Sequence, residues 1–292
     1  MQNKEYKAYA YGKINLYLDV LNKRKDGYHN IRSVMQTVSQ HDTVTLTVAP
    51  SVENKIEISC SDPNIKCDSS NLVYKAARLF IEKYRGECAD FKFYIEKNIP
   101  VSAGMAGGSA DAAATLKLLN EAYSYPFSED ELCNMGRAIG ADVPFCIKGG
   151  TCICEGIGEK LTRLPTFSGY YIVTAIDSSS VSTPEAFAML DEIFGTECTD
   201  SSCIDKMIEA IRNKDIDGVC SSLYNKFECA IIPQNKGVKL IKDSFLGLDA
   251  MGALMSGSGP SVFAIFSDEK LARNAAEYLE VFEIRANVCK TI

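Results

Sequence analysis

Pro100-Val-Ser-Ala-Gly104-Met-Ala-Gly107-Gly108-Ser109-Ala-Asp111 runs straight into Ala112-Ala-Ala-Thr-Leu-Lys-Leu-Leu119. The first half is a loop of small residues that lets backbone N–H groups come close to an anion, and the second is a helix-forming run whose N-terminal dipole favours negative charge. Two readings are open from this stretch alone: a phosphate cradle, or an ordinary Gly-rich connection with Ser109 as N-cap. It is not a Walker A loop, because the G-x-x-x-x-G-K-[ST] lysine is missing, and no G-x-G-x-x-G opens a helix after an early strand. Neither H-R-D nor D-F-G occurs, so it is not a protein kinase, and Ser109 and Ser258 both fail the spacing of a hydrolase elbow.

On the N-terminal side, Ile14, Leu16, Leu18 and Val20 alternate with Asn15, Tyr17 and Asp19, the period of a half-buried strand with Lys13 and Asn15 on its other face. Asp26-Gly27 marks a turn, and Thr43 to Val48 and Ile56 to Cys60 alternate again, so the chain opens on a β-rich layer. A helix follows, capped by Ser70 or Asn71 and carrying Val73, Ala76, Ala77, Phe80, Ile81 and Tyr84 at helical spacing, and then a strand through Phe91, Phe93 and Ile95. Beyond the loop, Ser128 with Glu131 makes a capping box for a helix ending near Gly140, and Thr151 to Glu155 reads as a short strand. The second half offers a buried strand from Tyr170 to Ile176, a helix from Thr183-Pro184, and helices around Cys203 to Arg212 and Ile216 to Tyr224. It closes with a strand from Val262 to Phe266, a helix through Leu271 to Leu279, and a strand alternating at Phe282, Ile284, Ala286 and Val288. That order suggests a small α+β sandwich.

The chain has 292 residues, about two domains at roughly 100 to 200 residues each. A net charge of −7 and a pI of 5.1 argue against non-specific binding to nucleic acid or an anionic membrane surface, so a polyanionic substrate needs a locally positive site. The 12 cysteines form no C-x-x-C pair and do not cluster with His29 or His41, which defeats a zinc reading. They read as reduced, small core residues of a cytosolic protein. The start of the chain has no apolar leader and no run is long enough to span a membrane.

Four other features carry chemistry, each with a plainer alternative. Gly140-Ala-Asp142-Val-Pro144 places a carboxylate between a helix end and a Pro-restricted turn, where it either serves a site or merely closes the turn. Lys13 is either functional or a solvated strand lysine. Tyr28-His29, past the turn, offers an aromatic face and a hydrogen-bonding ring suited to a heterocyclic base, or is a turn followed by a packed aromatic. Ser256-Gly257-Ser258-Gly259 is a second anion nest or a flexible hairpin.

Their order along the chain resembles the GHMP small-molecule kinase superfamily: a strand lysine, a Pro-x₃-Gly-x₂-Gly-Gly-Ser loop, an Asp in Gly-Ala-Asp-Val-Pro, and a late Gly-Ser-Gly turn. Ala10-Tyr-Gly-Lys13-Ile-Asn15-Leu, Arg24-Lys-Asp26-Gly27-Tyr28-His29 and Gly140-Ala-Asp142-Val-Pro144 are similar to the branch whose acceptor is 4-diphosphocytidyl-2-C-methyl-D-erythritol, in the non-mevalonate isoprenoid pathway.

The resemblance implies an α+β, two-domain GHMP fold with a cleft between the domains: an ATP-binding domain over 1–164, like ribosomal protein S5 domain 2, and a ferredoxin-like α/β sandwich over 165–292. It implies transfer of the ATP γ-phosphoryl to the 2-hydroxyl of the acceptor, with Asp142 taking the hydroxyl proton and Lys13 keeping that carboxylate ionised. ATP is expected on Pro100, Val101, Ser102, Ala103, Gly104, Met105, Ala106, Gly107, Gly108, Ser109 and Ala110, with Mg²⁺ on ligands the sequence leaves unknown. Asn15, Tyr28, His29, Gly257, Ser258 and Gly259 are expected at the acceptor, and Phe187 either stacks on cytosine or belongs to a helix core. The partners implied are small molecules, in a cytoplasmic monomer or homodimer. The loop departs from the family's commonest form at Met105, Ala106 and Ala110: Ala106 must avoid φ > 0 or accept strain, and Ala110 removes a hydroxyl. Two rival readings are a GHMP kinase for mevalonate-type or homoserine-type acceptors and a non-catalytic sensor on the same fold. Tyr28-His29 weighs against the first, and the presence of both Lys13 and Asp142 against the second.

Overall fold

The computed structural model describes residues 4–177, 182–195 and 204–292. They fall into two compact units that interleave along the chain. The first takes in the chain up to Gly12 with His41–Val101 and Ala106–Lys148; the second takes in Lys13–Gln40, Ser102–Met105 and the chain from Gly149 onward.

In the first unit the outer ends of β1 (Lys4–Lys23) and β2 (His29–Pro50) join β3 (Lys55–Cys60), α1 (Leu72–Tyr84), β4 (Ala89–Glu96), α2 (Gly107–Ala122), α3 (Glu129–Ile139) and α4 (Val143–Lys148). The strands lie in the order β3-β4-β2-β1, with β4 antiparallel to β2 and parallel to β3. Alternation along β4 buries Phe91, Phe93 and Ile95 and leaves Lys92, Tyr94 and Glu96 outward, so one sheet face is apolar. Val73, Ala76, Ala77 and Phe80 of α1 meet that face together with the alanines of α2, whose small side chains form one core with them. Asn71 caps α1 by accepting from Val73 N, and Ser128 and Glu131 form the expected capping box on α3.

In the second unit the inner halves of β1 and β2 lie side by side, and that of β2 pairs with β5 (Thr151–Gly156), which pairs in turn with β6 (Lys160–Arg163). The remaining elements are β7 (Tyr171–Ile176), α5 (Thr183–Phe194), α6 (Ile204–Asn213), α7 (Ile216–Ser221), β8 (Tyr224–Asn225), α8 (Glu228–Ile231), α9 (Lys236–Gly247), β9 (Gly252–Met255), β10 (Ser261–Phe266), α10 (Glu269–Glu280) and β11 (Ala286–Lys290). Four of these strands make an antiparallel sheet, β11-β7-β10-β9, whose core face packs on Val238, Ile241 and Phe245 of α9 and on Ala272, Ala275 and Leu279 of α10. This is the small α+β sandwich read from the second half of the sequence.

Several elements differ from the sequence reading for identifiable reasons. Ile14 to Val20 is buried on both faces, because Tyr17 lies against Tyr224 and Asp19 against Lys226, so the polar residues face protein rather than water. Lys13 is accordingly no solvated strand lysine; it is 4% exposed. The apolar alternation at Phe282 and Ile284 is not a strand: both backbone N–H groups close the end of α10 on Leu279 O, Glu283 takes φ +60°, and β11 begins only at Ala286. The helix at Ile216 stops at Ser221, leaving Tyr224 to pair with Tyr17. Ser109 lies inside α2 rather than capping it, and the Asp142 turn opens into α4, which the sequence reading left out. Among the cysteines, Cys133, Cys152, Cys154 and Cys289 are buried, but Cys67, Cys88 and Cys229 are exposed, on connections and the short α8. Cys198 and Cys203 lie outside the described residues. No helix among the described residues is long and apolar enough to cross a membrane.

Candidate active site

Lys13 is held by β1 in the second unit. Its Nζ donates to Asn15 Oδ1 at 2.7 Å and to Gly104 O at 2.8 Å, and its backbone N–H donates to Met105 O at 3.1 Å. Asn15, 1% exposed, is committed at both ends: Oδ1 also accepts from Gly257 N at 3.1 Å, and Nδ2 donates to Ser33 Oγ at 2.9 Å. Asn15 therefore fixes the lysine and the late glycine turn in one network. That turn is further held by Asn225 Nδ2, which donates to Met255 O and Gly257 O, and by Ser258 Oγ, 3.0 Å from Thr183 Oγ1. Gly259 N donates to Ser256 O. Three stretches read separately from the sequence, around Lys13 and Asn15, Gly104, and Gly257, thus come together.

The loop earns its glycine at one place above all. Gly104 has φ +70°, and a Cβ there would stand 2.1 Å from Ser256 O, a backbone atom that cannot swing aside. Ser102 at +56° and Ala106 at +58° are left-handed as well, a backbone conformation that side chains other than glycine's adopt only at a cost. Ala106 thus accepts the strain foreseen for it. In the first unit, Ala106 O receives the first helical bond of α2, from Ala110 N. The N–H groups of Gly107, Gly108 and Ser109 precede that bond and stand at the positive end of the helix. Ala110 contributes neither amide nor hydroxyl: its N–H is spent on Ala106 and its methyl lies in the core.

Asp142 follows the end of α3 in the same unit. Its backbone carbonyl accepts from Cys146 N, while its carboxylate makes no hydrogen bond or ion pair among the described residues, so it caps nothing. A Cβ on Gly140 would lie 3.7 Å from Ser109 Oγ, which puts the Gly-Ala-Asp turn beside the start of α2. These two features of the first unit fit a nucleotide triphosphate: free amides at a helix start and a half-buried carboxylate with no internal partner.

A buried cluster at the start of α2 was not foreseen. Lys97 Nζ bonds Asp42 Oδ2 and, at 2.8 Å, Asp111 Oδ2, while Asp42 Oδ1 accepts from Asn98 N and Ile99 N. The chain leading into Pro100 and the first turn of α2 are thereby tied to one ammonium. Asp111 Oδ1 is buried without a partner. Burial, and next to it the charge of Asp42, push the Asp111 carboxyl up to about 7 against the pull of Lys97. Burial works against the Lys97 charge, but the two carboxylates outweigh it and raise its pKa.

The acceptor candidates form a second cluster in the second unit. Gly27, at φ +87°, turns the chain between β1 and β2, and Arg24 N donates to Tyr28 O at 2.7 Å. This leaves Tyr28 61% exposed, while His29, 7% exposed, is tucked in at the start of β2. The His29 ring lies flat on Phe187, centroids 4.5 Å apart and planes 11° from parallel, and Phe187 meets Phe227 edge-on. Phe187 is thus both core and platform, and no base fits between it and His29. His29 Nε2 lies 2.8 Å from Asp191 Oδ1, and Lys23 Nζ lies 2.6 Å from Asp191 Oδ2. Neither Asp191 nor Lys23 was singled out in the sequence, since their link to His29 is tertiary.

Residues 71–150 match the family of GHMP kinases N terminal domains, and residues 207–283 match GHMP kinases C terminal. A protein of Clostridium novyi named 4-diphosphocytidyl-2-C-methyl-D-erythritol kinase is 43% identical over 275 residues, covering 93% of this chain and 94% of its own length. The chain belongs to the GHMP kinase family. A protein of the same name from Acetivibrio thermocellus is also 43% identical, covering 97% of this chain and 98% of its own. A crystal structure of 4-(cytidine 5'-diphospho)-2C-methyl-D-erythritol kinase superposes with a TM-score of 0.79 at 28% identity, covering 98% of this chain and 99% of that one. This GHMP kinase is therefore an ATP-dependent enzyme that phosphorylates a small molecule. The α+β fold expected from the sequence is the fold observed.

Proposed function

We propose that this kinase transfers the γ-phosphoryl group of ATP to the 2-hydroxyl of 4-diphosphocytidyl-2-C-methyl-D-erythritol. The observation that carries the acceptor is the Tyr28-His29 pair: an exposed aromatic face beside a ring whose plane and one nitrogen are already fixed, a fitting reader for a nucleobase. The names of relatives 43% identical across nearly the whole chain support the same acceptor. A mevalonate-type or homoserine-type acceptor has no base for this pair to read.

In the proposed reaction the acceptor oxygen attacks the γ-phosphorus, the bond to the β-phosphate oxygen breaks, and ADP leaves. Asp142, with no internal partner, takes the hydroxyl proton. Lys13, oriented by Asn15 and Gly104 O, offsets charge on the transferring group, and the amides of Gly107, Gly108 and Ser109 hold phosphate oxygens. In such chemistry positioning and charge neutralisation supply most of the acceleration, and these groups also give a chain of net charge −7 a local positive site. Mg²⁺ would arrive with the ATP, with Ser109 Oγ in the first turn of α2 the hydroxyl that could hold it; it would neutralise charge on the phosphates. We assign ATP binding to residues 1–164 and a separate C-terminal domain to 165–292, a division that the two family matches straddle.

The test is ADP release from Mg-ATP with the cytidyl acceptor, mevalonate or homoserine, for wild type and Asp142→Ala. Turnover confined to the cytidyl acceptor and reduced by about 10² or more in the variant is expected. Preference for mevalonate or homoserine would overturn the acceptor, and a silent wild type that still binds nucleotide would make the chain a sensor.

A further inference from the structure

Asp191 lies on α5, 162 residues from the histidine it holds. An ionised carboxylate only accepts hydrogen bonds, so the 2.8 Å contact requires His29 Nε2 to carry a hydrogen. Burial works against the charge of Asp191, but hydrogen bonds from Lys23 and His29 outweigh it and hold the carboxyl below its ordinary range. Lys23 takes the other oxygen at 2.6 Å and fixes the carboxylate's orientation, while Phe187 fixes the plane of the imidazole. With Nε2 spent, Nδ1 is the ring nitrogen left for a ligand, and in the neutral ring it is an acceptor.

Resting on the cytidyl-acceptor reading above, we propose that Asp191 is a positioning residue that sets base specificity: it locks His29 in the Nε2–H tautomer, so that Nδ1 accepts from the exocyclic amino group of cytosine and rejects the carbonyl oxygen that uracil carries there. Cytosine presents an amino donor at that position and uracil an acceptor. An acceptor facing an acceptor leaves both unpaired, the arrangement that discriminates strongly between otherwise similar ligands.

Asp191→Asn tests this because Lys23 can only donate. The asparagine carbonyl must face Lys23, which turns its NH₂ toward His29 Nε2, makes that nitrogen the acceptor and moves the ring hydrogen to Nδ1. The chain has only two histidines, so ¹⁵N spectra at pH 8 show two imidazoles, and His29→Gln assigns them. Wild type is expected to show His29 protonated on Nε2 and Asp191→Asn to show it protonated on Nδ1. In parallel, the ratio of kcat/KM for the cytidyl acceptor over its uridyl analogue should fall about tenfold or more in Asp191→Asn, through KM, with kcat for the cytidyl acceptor little changed. An unchanged tautomer, or equal losses on both acceptors, would overturn the proposal. If wild type turns over neither acceptor, the acceptor assignment fails instead, and the spectrum alone then upholds or overturns the tautomer lock.

Discussion

Replacing Asp111 by Asn should flatten the pH dependence of stability. In the native protein burial drives this carboxyl from the ordinary 3.8 to about 7, with the charge of Asp42 adding to the effect and Lys97 opposing it. Between those values the folded state keeps a proton that the unfolded chain has released. The unfolded state thus binds fewer protons there, and stability falls as pH rises through the window. Each pH unit is worth about 1.4 kcal/mol, which over the whole window gives a ceiling of about 4 kcal/mol and, between pH 5 and pH 8, about 2–3 kcal/mol. Asn removes the titration but keeps an amide oxygen for Lys97, whose charge then faces Asp42 alone in a neutral pair. Urea unfolding of both proteins at pH 5, 6, 7 and 8 isolates the effect, since every other group titrates in both and cancels in the difference. Wild type should lose about 2–3 kcal/mol more than Asp111→Asn across that range, and the variant should be at least as stable at pH 8. Parallel loss in the two proteins would refute the reasoning, as would a variant weaker than wild type at pH 8 by more than about 1 kcal/mol.

Two substitutions in the loop should act in opposite directions. Gly104→Ala puts a methyl into Ser256 O at a φ of +70°, and the carbonyl of residue 104 then has to leave Lys13 and Ser256 Oγ; a loss of about 2 kcal/mol or more and a rise of about tenfold in KM for ATP are expected, and wild-type values for both would contradict the close approach. Ala106→Gly relieves a left-handed alanine that costs about 1–2 kcal/mol, offset in part by the greater freedom of glycine in the unfolded chain. A net gain of up to about 1 kcal/mol in urea unfolding is expected; a loss of that size would mean that the φ of +58° is not a strain.

Residues proposed to perform the chemistry were legible because chemistry fixes residue type, and residues that hold them were not because a tertiary contact leaves no local pattern. Lys13, Asp142, the loop and Tyr28-His29 stand out as types in an order. Asp42, Lys97 and Asp111 are a strand aspartate, a lysine after a strand and a helix aspartate, unremarkable until β2, β4 and α2 bring them together, and Asp191 reads as any helix-surface acid. Local signals with a single physical cause survived folding: the Ser128 capping box, the helix start at Thr183-Pro184, and the alternation in β4. Patterns with two causes did not, since a helix end spaces its apolar residues much as a strand does, which is why Phe282 and Ile284 misled. Asn15 was expected at the acceptor from the family resemblance, yet its amide is spent inside the protein; its polarity serves Lys13 and Gly257. The same reasoning bears on Ala110. A hydroxyl missing from the loop matters only where the loop faces its ligand, and position 110 faces the core with its N–H already bonded to Ala106, so the phosphate contacts proposed above fall to the three amides before it.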